Sequence, residues 1–190
     1  MWIALEGVDT SGKSTQIALL QRVFKEAIYT QEPGGTPLGV TLRHSALHSA
    51  LSPSARFLLF LADRALHLEE VIKPNAHKLI FSDRCLISGL AYAPYSLQES
   101  LELHRTHQLD YVPDAVFFLS LKRAELIQRL RAKSTDCIES QGVDFLLHTQ
   151  ARMLEACALL DIEPYILEAG QSEQAIHSQI LEHLHALSAL

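Results

Sequence analysis

Residues 7 to 15 read Gly-Val-Asp-Thr-Ser-Gly-Lys-Ser-Thr, with a lysine and two hydroxyls directly after the second glycine. This is the Gly-x-x-x-x-Gly-Lys-Ser/Thr spacing, and its chemistry is phosphate binding. Backbone N–H groups of such a loop and the positive end of the following helix converge on one anion. Lys13, expected to face outward, would reach the β- and γ-phosphates of a nucleoside triphosphate, and the Ser14 hydroxyl would ligate Mg²⁺. The expected ATP cradle comprises Gly7, Val8, Asp9, Thr10, Ser11, Gly12, Lys13, Ser14 and Thr15. Its variable positions hold an acid, Asp9, and no base, so further positive charge must come from elsewhere in the chain.

Other residues carry chemistry at a distance. Asp83 ends the run Leu-Ile-Phe-Ser as an acid that orders a metal's water shell should, and Arg84 follows it directly. An acid and a base at the carboxyl edge of a parallel strand suit metal on one side and phosphate on the other. A second ligand site is suggested in two pieces. Gly34-Gly35 would let the backbone approach a ligand closely, and a helix beginning after Thr36 brings Arg43 round two turns later. Phe60 and Arg64, four residues apart, share a helix face. A ring beside a guanidinium can stack on a base and donate to its carbonyl edge. Core packing competes for Phe60, and a structural salt bridge competes for Arg64. His44 and His48 also share a face, but no third metal ligand lies near them in sequence. His104, His107, His183 and His185 are expected at the surface, and Cys85 is expected to pack.

These residues need a scaffold, and the chain alternates strand-like and helix-like segments. Strands are expected at 2–7, 27–30, 78–84, 114–121 and 164–169, each short and apolar. Helical spacing begins at Lys13 or Ser14. Thr36-Pro37 and Ser52-Pro53 both read as an N-cap followed by proline at the first helical position. The second opens a helix from about Pro53 to Lys73 that Pro74 closes, and a last helix runs from about Ser172 to the end. Strand alternating with helix predicts an α/β fold, a five-stranded parallel sheet flanked by helices. One domain spans residues 1–190, and the polar stretch 133–142 is the candidate lid.

Composition narrows the function classes. The chain has 190 residues, 48% of them hydrophobic and 20% charged, ordinary values for a water-soluble fold. A net charge of −6 argues against a nucleic acid polymer as partner. No apolar run approaches the length of a membrane span, and Glu6 interrupts the start too early for a signal peptide. Three dispersed cysteines suggest reduced thiols in the cytoplasm. No Asn-Lys-x-Asp motif is present, and Asp83 is not followed by x-x-Gly, so a GTPase switch is not supported.

The blocks LEGVDTSGKSTQ, EPGGTPLG, LLFLADRALH, FSDRCLISGLAY and LRAKSTDCIE stand in an order and spacing that resemble the thymidylate kinases along nearly the whole chain. The resemblance implies a P-loop kinase fold with a short lid, MgATP as donor, dTMP as acceptor, and a homodimer. By position, Phe60 would stack on thymine, Arg64 would read its exocyclic oxygen, and Arg43 and Arg84 would bind the acceptor phosphate. Asp9 and Tyr92 would lie near the 3′-hydroxyl, with Glu32, Pro33, Ser88 and Gly89 completing the acceptor site. Lys13, Asp9, Arg84, Arg129 and Lys133 are the expected catalytic residues, the last two as lid bases, with Ser14 and Asp83 toward the metal. Arg131 faces away from Arg129 and is expected to be solvated. The chain departs from the family pattern at Gln31, Leu66, Cys85, Ala93 and Cys137. The alternatives are a kinase for another pyrimidine monophosphate and a non-catalytic ATP-binding switch.

Overall fold

The computed structural model of the chain describes residues 1–131 and 142–188. Five short apolar runs form β1 (Trp2–Glu6), β2 (Ile28–Gln31), β3 (Ile80–Asp83), β4 (Ala115–Ser120) and β5 (Tyr165–Glu168). They make one sheet in the order β2-β3-β1-β4-β5, with every pairing parallel. All of β1 is buried, as is β4 up to its last residue. Strands covered on both faces have no polar side to show, which is why they read as unbroken apolar runs.

Eight helices cover the sheet among the described residues: α1 (Lys13–Val23), α2 (Pro37–His48), α3 (Pro53–His67), α4 (Leu86–Ala91), α5 (Leu97–Thr106), α6 (Arg123–Arg131), α7 (Val143–Leu159) and α8 (Glu173–Ser188). The starts follow side-chain chemistry. Thr36 accepts from the Gly39 N–H and Ser52 from the Ala55 N–H, each with proline just inside the helix. Ser96 and Glu99 form a reciprocal capping box at α5. Each such cap contributes about 1 kcal/mol.

The helix expected from Pro53 to Lys73 is not uniform. The α-helical ladder ends at His67, a wide π-turn follows over Leu68–Ile72, and a 3₁₀ turn over Lys73–Asn75 takes in Pro74. The wider turn carries Leu68 and Ile72 into the core, where both are buried, and Pro74 has no N–H with which to continue the ladder.

Strand order reverses beside β1, between β3 and β4, and open parallel sheets bind ligands at the carboxyl ends of such strands. Register brings three loops to that edge. Leu5 of β1 and Gln31 of β2 both pair with Asp83 of β3, so the glycine loop, the Glu32–Pro33 turn and Arg84 emerge side by side.

Candidate active site

The glycine loop leaves β1 through Gly7, whose φ is 142°; a Cβ there would fall 2.6 Å from the Leu119 carbonyl oxygen. Gly12, at φ 101°, turns the chain into α1. Both positions suit only glycine. Lys13 is buried rather than outward-facing as expected. Its ammonium donates to the carbonyls of Gly7 at 2.8 Å and Val8 at 3.1 Å, folded onto its own loop. Burial, with the Arg84 charge adding to it, lowers the Lys13 pKa to about 8. Thr10 and Ser11 hold buried hydroxyls that no described group satisfies.

Ser14 and Asp83 meet across the sheet edge, with Ser14 Oγ 3.4 Å from Asp83 Oδ2. The other oxygen, Asp83 Oδ1, is buried and has no hydrogen-bond partner among the described residues. A hydroxyl and an unsatisfied carboxylate beside a phosphate loop are the oxygen donors Mg²⁺ takes when it arrives with its own waters and a nucleotide. The residues therefore fit the metal.

Arg84 stands at φ 73°, a left-handed conformation that costs a bulky side chain on the order of 1–3 kcal/mol. The turn aims its guanidinium back over the loop. It donates to Asp9 Oδ1 at 2.7 Å, to the Gly7 carbonyl at 3.0 Å and to Ser88 Oγ at 3.0 Å, and lies 5.3 Å above the Tyr92 ring. Behind it, Glu6 is fully buried and accepts from the N–H groups of Cys85 and Ser88 and from the Ser88 hydroxyl. This carboxylate holds the start of α4, and sequence reasoning missed it. Cys85 packs there, and burial together with Glu6 pushes its thiol pKa far up, so it is no nucleophile.

Next to the loop lies a cavity of about 430 Å³. Its walls bring together all the residues expected around the acceptor: Glu32, Pro33, Arg43, Phe60, Arg64, Arg84, Ser88, Gly89 and Tyr92, with Asp9 at the edge shared with the loop. Phe60 is half-buried on the wall, whereas Phe57, one turn earlier, is the core ring. Arg43 donates to the Pro33 carbonyl at 2.8 Å. Arg64 is almost wholly committed: Nε to the Leu109 carbonyl, Nη1 to both Glu32 oxygens, Nη2 to the Tyr111 carbonyl. The salt bridge that competed for Arg64 is thus present, on the same residue that lines the cavity.

Glu32 is the centre of this network. Burial would raise its pKa, but Arg64 and His67 overcome that and hold the carboxyl at about 2. His67 spans Glu32 and the Thr30 hydroxyl. Gly35 approaches the chain's own His67, not a ligand as expected; a Cβ there would sit 2.6 Å from the imidazole. Asp63 accepts from the Gly34 N–H at 2.9 Å, and burial raises its pKa to about 6. Asp63 and His67 were not anticipated, although charged residues inside the apolar run FLLFLADRALH were a visible signal.

His104, expected at the surface, is buried against the cavity, and His183 is half-buried with its ring 4.2 Å from that of Tyr165. Both occupy inner helix faces that sequence spacing could have identified: Leu97, Leu101 and His104 share one. Arg129 lies on α6 and reaches the glycine loop, donating from Nη1 to the Thr10 carbonyl at 2.7 Å and from Nη2 to the Ala169 carbonyl. Arg131 is exposed. Lys133, Cys137 and the expected lid, except Gly142, lie outside the described residues.

Residues 5–180 match the family model for thymidylate kinase. The chain belongs to the thymidylate kinase family. It is 52% identical to a thymidylate kinase of Wolinella succinogenes over 185 residues, covering 95% of this chain and 96% of that protein. It is 44% identical to one of Sulfurimonas denitrificans, covering 97% of this chain and all of that protein, and 46% identical to one of Helicobacter pylori, covering 95% and 96%. The family's P-loop kinase fold is the architecture described above. No described helix is long and apolar enough to cross a membrane.

Proposed function

We propose that this chain transfers the γ-phosphoryl group of MgATP to the phosphate of dTMP, yielding ADP and dTDP. The observation that carries the proposal is a second, nucleotide-sized cavity that meets the phosphate loop at Arg84 and Asp9. A switch that only binds ATP has no use for it. An oxygen of the acceptor phosphate forms a bond to the γ-phosphorus as the bond to the β–γ bridging oxygen breaks, and that oxygen leaves on ADP. The acceptor is already an anion, so no strong base is needed and catalysis is positioning plus charge stabilisation.

Lys13 releases the Gly7 and Val8 carbonyls to reach the β- and γ-phosphates, and Arg84 lies between the two sites, where both phosphates meet. Arg129, anchored on Thr10, adds positive charge to a loop whose variable positions hold no base. Ser14 and Asp83 would hold Mg²⁺, which would supply charge neutralisation to the nucleotide's phosphates. Phe60 stacks on the base, Arg43 and Arg84 bind the acceptor phosphate, and Tyr92 and Asp9 flank the sugar. We also read the protein as a cytoplasmic homodimer. Val40 on α2 and Leu58 on α3, each more than half exposed, support the dimer, and the free, buried Cys85 and Cys157 support a reducing compartment.

The deciding experiment follows ADP release from MgATP with a panel of nucleoside monophosphates. The proposal requires release only when a monophosphate is present, fastest with dTMP. Release without any acceptor, or a preference for dCMP, would overturn it.

A further inference from the structure

His104 is buried in α5 on the wall of the acceptor cavity, 2% exposed, and the reaction above gives it no task. Its Nδ1 lies 2.7 Å from the carbonyl oxygen of Ser100. A carbonyl only accepts, so Nδ1 carries the proton and Nε2 of the neutral ring is left as an acceptor. Nε2 has no hydrogen-bond partner among the described residues.

The surroundings keep that nitrogen open toward the cavity. Nε2 lies 3.4 Å from the point where a Cβ of Gly89 would stand, and apart from Gly89's own chain neighbours no other side chain among the described residues comes within 4 Å of that point. Gly89 lines the same cavity. Phe57 packs its ring against the imidazole at 77° and 5.9 Å, fixing its plane. Burial, with the Arg64 charge adding to it, lowers the imidazole's pKa and so preserves the neutral form.

His104 is also tied to Arg64. The Leu109 N–H donates to the His104 carbonyl at 2.8 Å, and the Leu109 carbonyl accepts from Arg64 Nε at 2.7 Å. Nε, Nη1 and Nη2 of Arg64 each donate to a protein acceptor, and Nη2, with two N–H groups, makes one such bond, to the Tyr111 carbonyl, among the described residues. One donor and one acceptor are therefore held in fixed relation on the cavity wall.

We propose that His104 Nε2 accepts the ring N3–H of the acceptor base while Arg64 donates to the adjacent exocyclic oxygen, so that the pair selects the imide edge of thymine or uracil. Cytosine presents the reversed edge, an acceptor at N3 beside an amino group, and would leave both protein groups unsatisfied. The inference rests on the cavity being a pyrimidine monophosphate site.

The test compares dTMP with 5-methyl-dCMP, which share the methyl group and differ at this edge alone. In His104→Leu the preference for dTMP, as a ratio of kcat/KM values, is expected to fall about tenfold through the dTMP KM, the size of one lost hydrogen bond. His104→Gln, which restores a carbonyl acceptor, is expected to recover part of it, with the ATP KM unmoved in both. A ratio unchanged in both variants would overturn the inference. Should neither variant fold, ¹⁵N-histidine NMR on the wild-type protein decides: Nε2 is expected unprotonated, shifting when dTMP binds and not with 5-methyl-dCMP. A protonated Nε2, or one indifferent to dTMP, would overturn it. A wild-type protein that does not prefer dTMP would instead strike the functional reading itself.

Discussion

The glycine loop and the neighbouring cavity, the proposed donor and acceptor sites, are built in opposite ways. The loop is a run of consecutive residues offering main-chain N–H groups and one lysine, and its Thr10 and Ser11 hydroxyls, like Asp83 Oδ1 at the sheet edge, are buried with no hydrogen-bond partner among the described residues. The cavity draws side chains from the Glu32–Pro33 turn and from α2, α3, α4, α5 and α7, and its central carboxylate, Glu32, is satisfied three times over by Arg64 and His67. The first site holds buried polar atoms that the described residues leave unpaired. The second is complete beforehand and presents a fixed shape. Donor binding should therefore depend on groups that rearrange, and acceptor selection on groups that cannot.

The largest effect is expected at the centre of the preformed network. Glu32→Gln leaves Arg64 buried without its counter-charge and should cost about 3–5 kcal/mol of stability, read as a lowered melting temperature. The pH dependence follows from the same group. Its folded pKa of about 2 lies below the ordinary 4.5, so its stabilisation is fully present above pH 4.5 and is lost as pH falls toward 2. The wild type should lose that margin over this window and the variant should not. A Glu32→Gln protein that melts like the wild type would mean the cavity is not held by this network.

On the donor side, Lys13→Ala should lower kcat by about 10²-fold or more, as removal of a preorganised charge does, with no loss of melting temperature. Because the free Lys13 has a pKa of about 8, kcat/KM for ATP, which reports the free enzyme, should also decline above that pH. Near-normal turnover in the folded variant would end the phosphoryl-transfer account. A smaller effect is expected at Phe60, where Phe60→Ala should weaken the acceptor KM by about 1–3 kcal/mol, the worth of one stacked base, and leave the ATP KM alone. An equal rise for both substrates would make Phe60 a core residue. The smallest effect is expected at Arg129, which presents the loop through the Thr10 carbonyl; Arg129→Ala should raise the ATP KM about tenfold, roughly one charged hydrogen bond, and leave the dTMP KM unchanged.

The same contrast explains what could be read from the sequence. The glycine loop was legible because its geometry is local: Gly7, Gly12 and Lys13 do their work within a few residues of one another. The sheet was legible because strands buried on both faces leave continuous apolar runs. The caps at Thr36 and Ser52 were legible because proline follows each. The cavity's supports were harder, since their partners are distant in sequence. Glu6 reaches Cys85 and Ser88, and Asp63 reaches Gly34, and no spacing rule couples such positions. His104 was missed for a different reason: a histidine in a short polar helix invites a surface assignment, although its spacing from Leu97 and Leu101 places it on the buried face. The π-turn after His67 has no local signature, because only packing of Leu68 and Ile72 against the core selects it.

The central claim is that two nucleotides bind two differently constructed sites, one of which forms before the other is filled. Calorimetric titration of dTMP into the protein without ATP or Mg²⁺ tests it most directly, in the wild type and in Lys13→Ala. The account predicts that dTMP binds both proteins with the same Kd within about threefold, although the variant has lost turnover. A dTMP affinity that appears only when the donor is bound, or that falls along with turnover in Lys13→Ala, would contradict it.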